Sequence, residues 1–177
     1  MMETKTRTEQ ILKVMRVLTW IAFIGYCIEA GAILFSYTLS YNNPEGARNF
    51  YNGLDLFDLR EVSFWYYTQV VSFNVAVSIM KAYVFFLVIK IFTKIDLSDP
   101  FKMDLALRLE KISYVLFGLS IVGMISRGHT GYLLDITGVE YGLKFTGEFL
   151  FMAGLIFIIS QIFKRGVELQ SENDLTV

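Results

Sequence analysis

The chain has 177 residues, 54% of them hydrophobic and 16% aromatic, with a mean hydropathy of +0.49 and a net charge of −1. A soluble domain is nearly as apolar, but along amphipathic elements; here the apolar residues gather into four blocks, each close to the ~20 residues that carry a helix across a bilayer. One cysteine, one histidine and two prolines exclude a disulfide framework, a zinc, haem or iron–sulfur site built from such ligands, and a disordered domain.

The first predicted span runs from Val14 to Leu39. It is too long for a secretory signal, Glu29 interrupts it, and no small-x-small cleavage site follows closely. Tyr26 stands before Cys27, where a lipoprotein needs a small residue, so the block reads as a membrane anchor. Next comes "YNNPEGARNFYNGLDLFDLREVSFWYY", which opens on turn chemistry and closes on aromatics. Asp55, Asp58 and Glu61 fall at helical spacing and read as a short solvated interfacial helix rather than a cation site. Trp65, Tyr66 and Tyr67 read as an interfacial aromatic belt.

The second span runs from Phe64 to Phe92, and "TKIDLSDPFKMDLALRLEK" leads from it into the third, Leu105 to Ile125. Ser98 or Asp99 is expected to cap a helix with Pro100 at its first position, where a missing N–H costs nothing, and Phe101 near the membrane surface. "SRGHTGYLLDITGVEYG" is glycine-rich and is predicted to form a small hairpin cap, with His129 a polar loop residue. The fourth span, Leu143 to Phe163, is followed by a tail over 164–177. The fold expected is an all-α integral membrane protein, a four-transmembrane-helix bundle forming a single domain.

Lys5, Arg7, Lys13, Arg16, Lys90, Lys94, Lys102, Arg108, Lys111, Lys164 and Arg165 lie on one side of these spans, against Arg48, Arg60, Arg127 and Lys144 on the other. The positive-inside rule then places both termini in the cytoplasm.

Ionisable groups deep in a span are expensive and mark function by default. Glu29 follows Arg16 by about 13 residues, or ~20 Å of helix, and Lys81 precedes Lys90 by about 9, or ~14 Å, so the two are expected to pair. Asn74, Ser78 and Lys81 form one stripe of the second span, extending this intramembrane polar seam. Gly147, Gly154 and Gln161 on the fourth span, with Ser113, Ser120 and Gly123 on the third, are predicted to let helices approach and to hydrogen-bond across their interfaces. Such seams suit a monomer or a homo-oligomer. No GxSxG, HExxH or phosphate-binding glycine loop is present, so no enzymatic role, catalytic residue, cofactor or metal is assigned. A mid-span glutamate also suits a small ion- or proton-coupled transporter or an accessory subunit of a membrane assembly. That alternative predicts loss of transport in Glu29→Gln.

In the tail "FKRGVELQSENDLTV", Lys164 and Arg165 mark the membrane exit, Gly166 is expected to permit a bend, and "VELQSEND" has enough helix formers for about two turns. A helix this short orders itself only against something else. This ending, with the "DPF" at Asp99 to Phe101, resembles the terminal signature of the YoaS-like bacterial membrane proteins, the domain-of-unknown-function family DUF2975. The resemblance covers the four-span layout with both termini inside, but not the aromatic outer segment. It implies no established activity. By the association of such genes with one for a small Cro-type helix-turn-helix regulator, it implies a sensor or anchor that holds a DNA-binding protein without itself binding nucleic acid. The residues this assigns to the partner are Pro100, Phe101, Lys164, Arg165, Gly166, Glu168, Leu169, Glu172, Asn173, Asp174 and Leu175. Glu168, Glu172 and Asp174 offer negative charge to a basic surface, and Leu169 and Leu175 offer apolar anchors.

Overall fold

The computed structural model describes residues 7–48, 56–94, 102–138, 141 and 147–174. Among them every regular element is helical: α1 (Arg7–Asn42), α2 (Pro44–Ala47), α3 (Phe57–Val62), α4 (Phe64–Lys94), α5 (Met103–Thr137) and α6 (Glu148–Asp174). The four long helices each have the length and apolarity to cross a membrane. In hydrocarbon a helix is favoured because it satisfies its own backbone groups within one segment. Their outer faces are apolar: Ile21, Ile28, Phe151 and Ile162 are each more than three-fifths exposed. An apolar exterior of this extent is the signature of a lipid-facing surface.

The helices outrun the predicted spans at most ends. The largest difference lies after Ile125, where the expected hairpin is instead a continuation of α5 to Thr137. Gly128 and Gly131 sit inside it, although glycine costs a helix about 1 kcal/mol relative to alanine. What holds the helix is one buried stripe, Gly123, Ser126, Thr130 and Leu133, at the three-and-four spacing of a single face. The helix ends at Gly138, whose φ of +72° favours glycine and whose N–H donates to the Leu134 carbonyl at 2.8 Å. The expected caps Ser98 and Asp99, and Asp55, lie outside the described residues.

The chain divides into two units whose boundaries fall inside α1, α4 and α5. One comprises residues 25–81 and 118–147. Its core is Ile33, Leu59, Tyr67, Val70, Val71, Leu133 and Tyr141. Tyr67, Val70, Val71, Asn74, Val77 and Ser78 make the buried face of α4. Tyr67 therefore does not belong to an aromatic belt: it is fully buried, its ring stacked on Tyr37 at 5.6 Å. Trp65, by contrast, is two-thirds exposed. The short helix expected before α4 is present as α3. It turns Leu59 inward and leaves Asp58 and Glu61 exposed. It is entered through Leu56 at φ 42°, in the left-handed region, where packing against the core offsets the conformational cost. At α2 the Asn43 side chain accepts from Gly46 N–H at 3.0 Å. A Cβ on Gly46 would sit 2.8 Å from the end of that side chain, so a larger residue there would push the Asn43 cap aside.

The other unit comprises residues 1–24, 82–117 and 148–177. Here α1 meets α4 through Phe23 and Phe86, with ring centroids 6.0 Å apart, and α5 meets α6 through Tyr114 and Phe157 at 6.1 Å. Helix α6 turns Ala153 and Ser160 fully inward, with Phe149, Ile156, Phe163 and Val167 half-buried on the same stripe. It runs straight through Gly166 to Asp174, so the expected bend is absent and the tail is an extension of the fourth span.

Candidate functional site

The polar seam lies in the 25–81 and 118–147 unit. Helix periodicity brings Asn74 and Ser78 onto the buried face of α4, opposite the α1 segment that carries Tyr26 and Glu29. Ser78 Oγ donates to Glu29 Oε1 at 3.0 Å. Glu29 thus has a hydroxyl donor from the polar stripe of α4. The Lys81 ammonium stands 5.3 Å from the centre of the Tyr26 ring, where the ring quadrupole attracts it. Asn74 is buried, and its Oδ1 has no hydrogen-bond partner among the described residues. The seam therefore forms as a neighbourhood, with a serine hydroxyl as the donor to the carboxylate.

That contact predicts a measurable coupling. Ser78 is fully buried, so Ser78→Ala removes a donor without opening the site to water. Hydrogen bonds between membrane helices contribute about 0.6 kcal/mol on average and up to about 1.7. Ser78→Ala should cost about 1 kcal/mol in unfolding from detergent, with most of that cost vanishing in a Glu29→Gln background. Additive effects in the double-mutant cycle would show that the two side chains are not energetically linked.

A second polar constellation, in the other unit, is only partly legible in the sequence, which marks Gln161 as a residue that bonds across an interface but does not identify its acceptor. Glu110 on α5 accepts from Lys164 Nζ at 2.7 Å and from Gln161 Nε2 at 3.2 Å, both on α6. The two side chains of the ion pair are 26% and 16% exposed, so water screens the contact only partly. Glu110 reads as a surface charge inside "LRLEK", and Lys164 as a topology marker. Their separation of 54 positions leaves no local signal. The available hint was that Gln161 and Lys164 share one face of a helix.

Gly147, Gly154 and Ser113 act differently from expectation. Gly147 and Gly154 have open space where a Cβ would stand, and Gly154 lines a groove of about 360 Å³ with Ser113, Tyr114 and Phe157. Ser113 and Ser160 are buried, but each donates to a carbonyl of its own helix, Glu110 and Phe157 respectively, at 2.7 Å. In an apolar setting a hydroxyl satisfied within its own turn needs no partner across the interface. Close approach occurs instead at Gly118, where a Cβ would lie 3.3 Å from Met80 Cε. His129 is helical rather than in a loop. Its ring lies 5.9 Å from Phe73, and its Nε2 is buried with no hydrogen-bond partner among the described residues.

Of the residues assigned to a partner, Pro100, Phe101 and Leu175 lie outside the described residues. Lys164 is taken by Glu110. Arg165 reaches forward to Glu168 at 2.9 Å and Glu172 at 3.8 Å. Gly166 is half-buried inside α6, and every side chain from Glu168 to Asn173 is exposed.

Four long apolar helices with apolar exteriors define a multi-pass α-helical membrane protein. The chain belongs to the family described as protein of unknown function (DUF2975), which matches residues 43–177. The match begins where α1 ends, so it takes in Ser78, Lys81, Glu110 and the α6 tail but not Glu29. No curated protein and no solved structure matches the chain.

Proposed function

We propose that the protein is a sensor or anchor of the bacterial inner membrane, with both termini in the cytoplasm, that binds a small helix-turn-helix transcription regulator through its tail. The observation that carries this reading is the continuity of α6. The helix leaves its apolar segment at Phe163 and continues without a break to Asp174. About 11 residues, or ~16 Å of helix, then project past the apolar boundary. A free two-turn peptide would melt; one grown from a membrane helix is pre-organised, which lowers the ordering cost of docking.

The projecting surface has the chemistry for a basic partner. Leu169 is nearly half exposed, while Glu168 and Glu172 are held on one side by Arg165. The Glu110–Lys164 contact lies at the base of this projection, so a shift of α5 against α6 would be passed to the tail. This makes it the site of sensing in the proposal.

The test is a pull-down of a recombinant Cro-type regulator by the full chain and by a chain ending at Arg165, both in mild detergent. The full chain should retain the regulator, and the truncation should lower recovery roughly tenfold or more, as removal of a hot-spot cluster does. Equal recovery by both forms would remove the tail from the mechanism. Recovery by neither would sink the anchor reading.

A further inference from the structure

Four basic side chains described in the 1–24, 82–117 and 148–177 unit are held by carboxylates: Lys94 and Arg108 by Asp104, Lys164 by Glu110, Arg165 by Glu168. Lys90 and Lys111 are different. Both are exposed, and neither has a carboxylate partner among the described residues. Each is instead laid over an aromatic ring, Lys90 Nζ 4.4 Å from the centre of Phe86 and Lys111 Nζ 5.7 Å from that of Tyr83. The two rings are neighbours, with centroids 6.4 Å apart, and Phe86 also meets Phe23 of α1. On α1, seven positions before Phe23, Arg16 donates to the Phe92 carbonyl oxygen of α4. That bond leaves most of its five N–H donors unused.

Lys90 of α4 and Lys111 of α5 therefore meet one aromatic face, and Arg16 of α1 is tied to the backbone of α4 two positions beyond Lys90. A cation–π contact does not neutralise an ammonium; it fixes the position of a charge that would otherwise swing freely into water. Here the charge is fixed at the edge of an apolar surface, since Tyr83 and, one turn along from Lys111, Tyr114 are exposed. A ligand that satisfies this arrangement needs an anionic head and a hydrocarbon body. A soluble anion would gain nothing from the exposed rings. A nucleic acid would bring no acyl chain.

We propose that Arg16, Lys90 and Lys111 form a binding site for the phosphodiester headgroup of an anionic phospholipid, with its acyl chains against Tyr83 and Tyr114. The site is independent of the tail and of any partner docked there.

The experiment is native mass spectrometry of the full chain, released from detergent with equal amounts of phosphatidylglycerol and phosphatidylcholine. The wild-type protein should retain phosphatidylglycerol preferentially. Lys90→Gln/Lys111→Gln should reduce that preference roughly tenfold or more, since each cation near an anionic surface contributes a several-fold factor. Lys94→Gln removes a charge from the same helix, but one already paired with Asp104, and should change it less than twofold. Lys90→Arg/Lys111→Arg should keep the preference, which separates lost charge from lost fold. Phe86→Leu should weaken it, because Lys90 loses its ring. Equal retention of both lipids by the wild type would overturn the proposal. So would an effect of Lys94→Gln as large as that of the double variant, which would mean bulk electrostatics alone. Displacement of the bound lipid by millimolar inorganic phosphate would show a simple anion site and overturn the role of the acyl chains.

Discussion

Tyr67→Ala is expected to destabilise the protein by about 3–5 kcal/mol, the range for deleting a large buried ring. The residue looks like one of three adjacent aromatics at a membrane boundary, yet it is fully buried. It holds Ile33 of α1, Leu59 of α3, Val70 and Val71 of its own helix and Leu133 of α5 in one cluster. Removing the ring deletes the stack on Tyr37, with planes 14° apart, and such pairs contribute about 0.5–1.5 kcal/mol beyond area. The larger loss is the dispersion contacts of a side chain enclosed on all sides, because a cavity there cannot be refilled by lipid. Tyr67→Phe should cost under about 1.5 kcal/mol, as a nearly isosteric change. Trp65→Ala, two positions earlier and largely exposed, should lie within about 0.5 kcal/mol of wild type. Equilibrium unfolding in mixed detergent checks all three. Similar costs for Tyr67→Ala and Trp65→Ala would return Tyr67 to an interfacial belt.

The second large effect is Leu133→Ala, expected to cost about 2–5 kcal/mol, with Leu134→Ala close to neutral. Leu133 is fully buried and Leu134 is two-fifths exposed. The pair tests the helical register of the segment whose glycines suggest a turn. In a helix one of two adjacent leucines faces the core, with Thr130 and Ser126 one and two turns back on the same side. Amide exchange offers an independent measure: residues 128–136 should be protected as α5 is, because their N–H groups are bonded within the helix. Rapid exchange there, with equal effects of both leucine variants, would restore the hairpin.

The Glu110–Lys164 contact shows where the two kinds of information part. Each residue is legible as a charge, and Lys164 even as a marker of the membrane edge. Their meeting depends on how α5 and α6 pack, which no local pattern encodes. The same holds for Ser78, whose position on a polar stripe is plain but whose acceptor, Glu29, lies 49 positions away. Conversely, the heptad spacing of Gly147 and Gly154 suggests close packing that the structure does not use, because spacing identifies a face and not what lies against it. Gly166 misleads for another reason. A glycine permits a bend, but good helix formers on both sides and the absence of proline let the hydrogen-bond ladder continue through it.

The number of apolar helices, the all-α class and the family were determined by the sequence alone. Length and apolarity suffice for those, since a chain in hydrocarbon must satisfy its backbone within each segment. The tertiary structure alone decided that Tyr67 is core, that residues 126–137 continue a helix, that Glu29 pairs with Ser78, and that Lys90 and Lys111 lie on rings rather than carboxylates. Each of these depends on which face of one helix meets which face of another. In a membrane, where apolar side chains are equally at home against lipid and protein, hydropathy carries little of that choice and side-chain packing carries the rest.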